Sequence, residues 1–200
     1  MPKLTQAAKL ERRAQFLEAA RRCAATKGYR DFTVDDVCLE AGLSKGAFYT
    51  YFDSKQALLL ALLDEETEDL DRLLRELEGD EAGYVDRLRR FTEEMLASAE
   101  NPGTVQLRTD LWAAALTDQV VRKSLVANIE RRRRRLRTWI DAAVDTRELD
   151  PIPANALASI LLALADGLLL HGGLDPDGFR WVNIRKALDA LLEGVGRGRV

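Results

Sequence analysis

Between residues 33 and 55 the chain reads TVDDVCLEAGLSKGAFYTYFDSK, and this stretch limits the possible folds more than any other. Thr33 is a good helix N-cap, and Asp36 follows three residues later, where a capping-box acid belongs. Val34, Val37, Cys38 and Ala41 then fall on one helical face. Gly42 ends that helix, because glycine enters the left-handed region without a steric penalty. Ser44 caps the next helix, which offers Ala47, Phe48, Tyr51 and Phe52 to a core and leaves Lys45, Gly46, Tyr49 and Thr50 facing outward.

A helix, a glycine turn and a second helix form the helix-turn-helix layout, which sets a recognition helix in the DNA major groove. The surrounding residues are more specific. KGY at 27–29, TVDDV at 33–37, AGLSKGAFYTYF at 41–52 and SKQALL at 54–59 together resemble the N-terminal domain of TetR-type transcriptional repressors. The chain departs from that pattern at Ala24, where the family places a large apolar residue; Phe16, Phe32 and Phe52 are the candidates to fill the space. The resemblance implies a homodimeric, all-α repressor released from its operator by a small-molecule effector, with no cofactor. It also implies that Thr33, Tyr49, Thr50 and Lys55 contact phosphates and that Ser44, Lys45, Gly46 and Ala47 face bases. The expected architecture is an N-terminal three-helix DNA-binding domain over 1–55 and a helical effector-binding and dimerisation domain over 56–200.

Charge supports this division. The whole chain carries a net charge of −3, which alone argues against a polyanionic partner. Through residue 60, however, there are ten Lys/Arg and seven Asp/Glu, whereas the rest holds twenty and twenty-six. A basic head on an acidic body suits a DNA reader with a separate second function. The longest apolar run, 157–170, is too short as it stands to span a bilayer and contains Asp166, so the chain reads as a cytoplasmic protein without a membrane partner. Cys23 and Cys38 lie on apolar helical faces and read as small core residues.

Beyond the head, helical periodicity continues over 54–78, 82–99, 104–116 and 118–145. Pro151 and Pro153 break the chain before a helix over 154–170, ended by Gly172 and Gly173. A last helix covers 180–192, and the tail GVGRGRV is expected to fray. The run Arg131 to Arg135 resembles a nucleic-acid patch, but five consecutive helical residues sweep the whole circumference. At least one must turn inward, where it needs an acid; Asp110 and Asp166 are the candidates.

The helix over 154–170 is apolar on every side, so it is expected to be buried on every side. By resemblance, it joins the final helix in a four-helix dimer interface through Leu157, Leu161, Leu164, Leu168, Ile184, Leu188 and Leu191. An effector cavity is expected among Phe91, Met95, Trp112, Leu116, Trp139 and Asp166, where aromatics give broad contact and a few polar groups orient an apolar or amphipathic ligand. If Asp166 is already paired, a neutral apolar ligand fits better. His171 is the only histidine, and no nucleophile motif, phosphate loop, metal-ligand cluster or catalytic acid pair occurs, so catalytic and metal sites are read as none. Two rival readings remain: a helical interaction or small-molecule-binding dimer that no longer reads an operator, against which Lys45, Gly46 and Tyr49 argue, and an enzyme, which has no supporting constellation.

Overall fold

The computed structural model describes residues 5–99 and 102–197. Its regular elements are α-helices: α1 (Gln6–Lys27), α2 (Val34–Ala41), α3 (Lys45–Tyr51), α4 (Lys55–Glu78), α5 (Tyr84–Ala99), α6 (Pro102–Thr117), α7 (Gln119–Asp145), α8 (Ala154–Leu174) and α9 (Trp181–Arg197). They fall into two compact units, Met1–Glu65 with Pro102–Leu125, and Glu66–Asn101 with Val126–Val200. The first unit is therefore larger than a head cut at residue 55, because α6 and the start of α7 pack with α1–α3 and the first part of α4.

Short polar side chains start the helices of the first unit. Thr5 Oγ1 accepts from Ala8 N–H at 3.2 Å, Ser44 Oγ from Ala47 N–H at 3.1 Å, and Ser54 Oγ from Ala57 N–H at 3.1 Å. Asp118 Oδ1 accepts from Val120 N–H at 2.8 Å, opening α7. Each bond satisfies an amide that the first helical turn leaves without a partner. The core is aromatic: Phe16 meets Phe48 edge-on at 5.5 Å and Phe52 at 6.3 Å, and all three are essentially buried. Ala24 is fully buried. Leu10 of α1 is 61% exposed. Cys23 and Cys38 are buried free thiols, and burial raises both of their pKa values.

The second unit is built on volume. Leu70, Leu74 and Leu77 of α4, Tyr84 and Phe91 of α5, Leu136, Trp139 and Ile140 of α7, and Ala154, Ala158 and Leu162 of α8 form one cluster. Trp139 lies between Tyr84 at 5.4 Å and Phe91 at 5.7 Å. Burial pushes the Tyr84 hydroxyl up to about 12. The fully buried Asn128 donates its amide to Thr67 Oγ1 at 2.8 Å, a polar link between α7 and α4.

The arginine run behaves as its geometry requires. Arg132 turns inward and is 5% exposed. Arg135 pairs with Asp71 at 3.1 Å and Glu78 at 3.3 Å, both on α4. Asp110 does not serve this run; it accepts from the backbone of Tyr29 in the first unit. Two helix ends also differ from expectation. The glycines at 172 and 173 do not stop α8, which continues to Leu174. A Cβ at Gly172 would stand 2.5 Å from the Trp181 ring, so this glycine serves close packing of α8 against the start of α9. Likewise α9 runs to Arg197, and the rest of the expected frayed tail, 198–200, lies outside the described residues. At 21 residues, with a mean hydropathy of 1.8 over its most apolar stretch, α8 is long and apolar enough to cross a membrane by length and composition, which corrects the reading of 157–170 as too short.

Candidate nucleic-acid interface and effector groove

The interface begins with a capping box. Thr33 Oγ1 accepts from Asp36 N–H at 3.2 Å, and Asp36 Oδ2 accepts from Thr33 N–H at 2.8 Å. Lys27 donates to Asp36 at 2.7 Å. These bonds, the lysine first and then Thr33, hold the Asp36 carboxyl down at about 2. Gly42 follows α2 at φ 64°, in the left-handed region, and its amide returns to the last turn. The start of α3 is then fixed by Ser44, and its orientation by Phe48, which has no exposed surface.

That anchoring turns Ser44, Lys45, Gly46, Tyr49 and Thr50 outward together, with Ala47 half-buried at the edge. Lys45 Nζ lies 2.8 Å from Asp35 Oδ1, and the hydrogen bond to that carboxylate raises the lysine pKa. Gly46 is not required by packing, since an added Cβ would meet only Ser44 Oγ at 3.9 Å. Tyr49 is 51% exposed, with its ring edge-on to Phe48, and its hydroxyl makes no hydrogen bond among the described residues.

The other expected phosphate donors are committed internally. The Thr50 hydroxyl donates to Gly46 O at 3.1 Å, and that of Thr33 donates to Asp36 at 3.0 Å. Lys55 departs furthest from expectation. Its Nζ donates to Phe32 O at 2.6 Å and Arg30 O at 3.2 Å and lies over the rings of Tyr29 and Phe32. Burial lowers its pKa, against the pull of Asp31, Asp110 and Asp36. It is a half-buried cation that organises the turn before α2, and no pattern in the sequence distinguishes it from a solvent-facing lysine.

In the second unit, an open groove with a cavity volume of about 30 Å³ runs between α5 and the helices α8 and α9. Phe91, Thr92, Met95 and Leu96 line one side; Leu161, Leu164, Ala165, Leu168 and Leu188 line the other. Thr92, the one polar side chain among the described lining residues, donates its hydroxyl to Arg89 O at 2.8 Å. Of the expected ligand residues, Phe91 and Met95 are therefore at the groove. Trp139 is 3% exposed, packed behind Phe91 in the core. Trp112 and Leu116 are not there: they belong to α6 in the first unit and are 45% and 74% exposed. Asp166 is half-buried, is engaged within the fold and does not line the groove.

The expected interface residues divide in the same way. Leu161, Leu164, Leu168 and Leu188 line the groove, while Leu157 and Leu161 pack on the core of their own unit; Ile184 is half-buried. Of the expected set, Leu164 on α8 and Leu191 on α9 are exposed, and Ile160, Leu170 and Leu174 on α8 and Val182 on α9 are exposed beside them. At about 100° per residue, Leu157, Leu161 and Leu168 lie roughly 80° around α8 from the line through Ile160, His171 and Leu174. A helix apolar on every side has no periodicity to say which arc meets its own core.

A capped helix-turn-helix joined to a separate helical unit is the arrangement of a ligand-responsive DNA-binding regulator. Residues 16–62 match bacterial regulatory proteins of the tetR family, and residues 85–197 match the C-terminal region of BetI-type transcriptional repressors. The chain belongs to the TetR family and is a DNA-binding transcriptional repressor. It is 28% identical over 205 residues to the HTH-type transcriptional repressor AcnR of Corynebacterium diphtheriae, covering 98% of this chain and 97% of that one. It is also 28% identical to the HTH-type transcriptional repressor Rv1474c of Mycobacterium tuberculosis, over 98% of this chain and all of that one. Among solved structures, GusR of Salmonella enterica superposes with a TM-score of 0.76 at 26% identity, over 97% of this chain and 98% of that one.

Proposed function

We propose that the protein binds a near-palindromic operator as a homodimer, reads it with α3, and releases it when an apolar small molecule occupies the groove beside α5. One observation carries the DNA reading: burial of Phe48 aims Ser44, Lys45, Gly46 and Tyr49 outward on one short helix. On a groove floor, Gly46 permits close approach, Lys45 exchanges Asp35 for a guanine edge or a phosphate, and Tyr49 gives its free hydroxyl to a phosphate. An exposed ion pair such as Lys45–Asp35 contributes only about 0–1 kcal/mol, so the exchange costs little. Thr33 and Thr50 contact phosphates only by redirecting their hydroxyls. Lys55 has no such role in this reading.

The second copy covers α8 and α9. Ile160, Leu164 and Leu174 form one exposed apolar line, and a Cβ at Gly167, on the same side, would meet nothing within 4 Å, which leaves room for a facing helix. This assigns the apolarity of α8 to a protein partner and not to a bilayer. Among the described residues that line the groove none is charged, which, with the engaged Asp166, favours a neutral apolar ligand. Release requires that the ligand prefer a state whose two heads are wrongly spaced, since equal affinity for both states shifts nothing.

Two experiments test this reading. Duplexes selected from a random pool should be two-fold symmetric and should bind Lys45→Ala/Tyr49→Phe more weakly, with a shallower salt dependence; unchanged binding by the double variant would refute the assignment to α3. Ile160→Asp should be monomeric by light scattering and lose operator affinity, while a stable Ile160→Asp dimer would place the interface elsewhere.

A further inference from the structure

The six residues that join α1 to α2 are held by charged side chains from two other helices. Gly28 ends α1 at φ 77°, with its own amide donating to Ala24 O at 2.9 Å. This conformation turns the next amide, that of Tyr29, away from the helix, and Asp110 Oδ2 on α6 accepts it. Gln106, one turn earlier on α6, donates to the other carboxylate oxygen at 3.2 Å. A Cβ at position 28 would lie 3.2 Å from Asp110 Oδ2, so Gly28 is suited both to the backbone angle and to the close approach of the carboxylate. On the carbonyl side, Lys55 donates to Arg30 O and Phe32 O. Thr33 follows at once and caps α2, so the placement of this turn sets the placement of α2 and, through Gly42, of α3.

We propose that Asp110 is a positioning residue for operator binding: by holding the Tyr29 amide, it makes the placement of the DNA-reading helices depend on where α6 stands. The proposal rests on the operator-binding reading and adds the route by which the rest of the chain reaches it. Both anchors sit on helices connected to the second unit: α4, which Lys55 opens, continues through Glu78, and α6 follows α5 directly in the chain. A hydrogen bond weakens steeply with angle and does not survive stretching to about 3.6 Å, so a displacement of α6 on the order of 1 Å releases the amide. Of the two anchors from other helices, Lys55 then remains.

The test compares Asp110→Ala with Asp110→Asn, which retains an acceptor oxygen at the same place, on the duplex that the wild-type protein selects from a random pool. At a temperature where both are folded by circular dichroism, Asp110→Ala should bind on the order of ten-fold more weakly, the loss expected for a hydrogen bond to a charged group, and Asp110→Asn should recover most of that. Exchange of the Tyr29 amide should accelerate in Asp110→Ala and not in Asp110→Asn, while amides of the aromatic core keep their protection. Combined with Lys55→Met, the Ala variant should give a loss that differs from the product of the single losses, because both act on one turn. Wild-type affinity in Asp110→Ala, or equal losses in the Ala and Asn variants, would overturn the proposal. A wild-type protein that enriches no duplex would refute operator binding instead, and Tyr29 exchange would still show whether Asp110 holds the turn.

Discussion

The DNA-binding unit and the effector unit solve different problems with different chemistry. In the first, Thr5, Thr33, Ser44, Ser54 and Asp118 each cap a helix through a named oxygen. In the second, α8 starts at Pro153 with no side-chain cap, and its position follows from packing among Leu162, Ala158 and Trp139. Hydrogen bonds fix direction to within tens of degrees, whereas apolar packing fixes volume and leaves direction to shape. The proposed presentation of Lys45 and Tyr49 to a rigid duplex needs the first. The proposed groove for an apolar guest can be built with the second.

The largest expected effect tests whether the capped head still depends on its core. Phe16→Ala removes the ring that contacts Phe48, Tyr51 and Phe52, and should cost about 3–5 kcal/mol and abolish DNA binding. Chemical denaturation checks the loss; a near-wild-type midpoint would mean that caps alone hold the head. A smaller effect probes packing in the other unit. Gly172→Ala sets a methyl against the Trp181 ring, and overpacking should cost about 1–3 kcal/mol, read as a lower midpoint with altered tryptophan fluorescence. A neutral result would show that α9 yields freely.

Smaller again, Thr33→Ala deletes half of the capping box and should cost about 1 kcal/mol, with a drop in operator affinity because α2 supports α3. The smallest effect concerns acid. Asp36 titrates at about 2 instead of near 3.8, so the unfolded state binds its proton first as pH falls. Its contribution is therefore complete above about pH 4 and lost as pH falls toward 2. Asp36→Asn should be less stable at neutral pH and should approach the wild type near pH 2; an unchanged difference across that window would remove the ion pair with Lys27 as its source.

The parts that were legible in the sequence were local. The capping box, the Gly42 turn, the outward face of α3 and the inward arginine all follow from residues within a turn or two of one another. The carbonyl contacts of Lys55 were not legible, because a lysine at the start of a helix looks the same whether it meets water, a phosphate or two carbonyls 23 and 25 residues away. Gly172 was misread as a stop because its partner, Trp181, lies on another helix. Trp112 and Leu116 were grouped with Phe91 by aromatic and apolar character alone, though they sit in a different unit.

The sequence by itself determined an all-helical chain with a DNA-reading head, because helix periods, caps and breakers act over a few residues and leave their signature there. Only the tertiary structure decided which arc of α8 stays open, which apolar residues share a groove, and that Asp110 reaches the amide of Tyr29, 81 residues earlier. Those outcomes depend on how helices far apart in the chain are brought together. Uniform apolarity along α8 and a lone aspartate on α6 carry no local record of it.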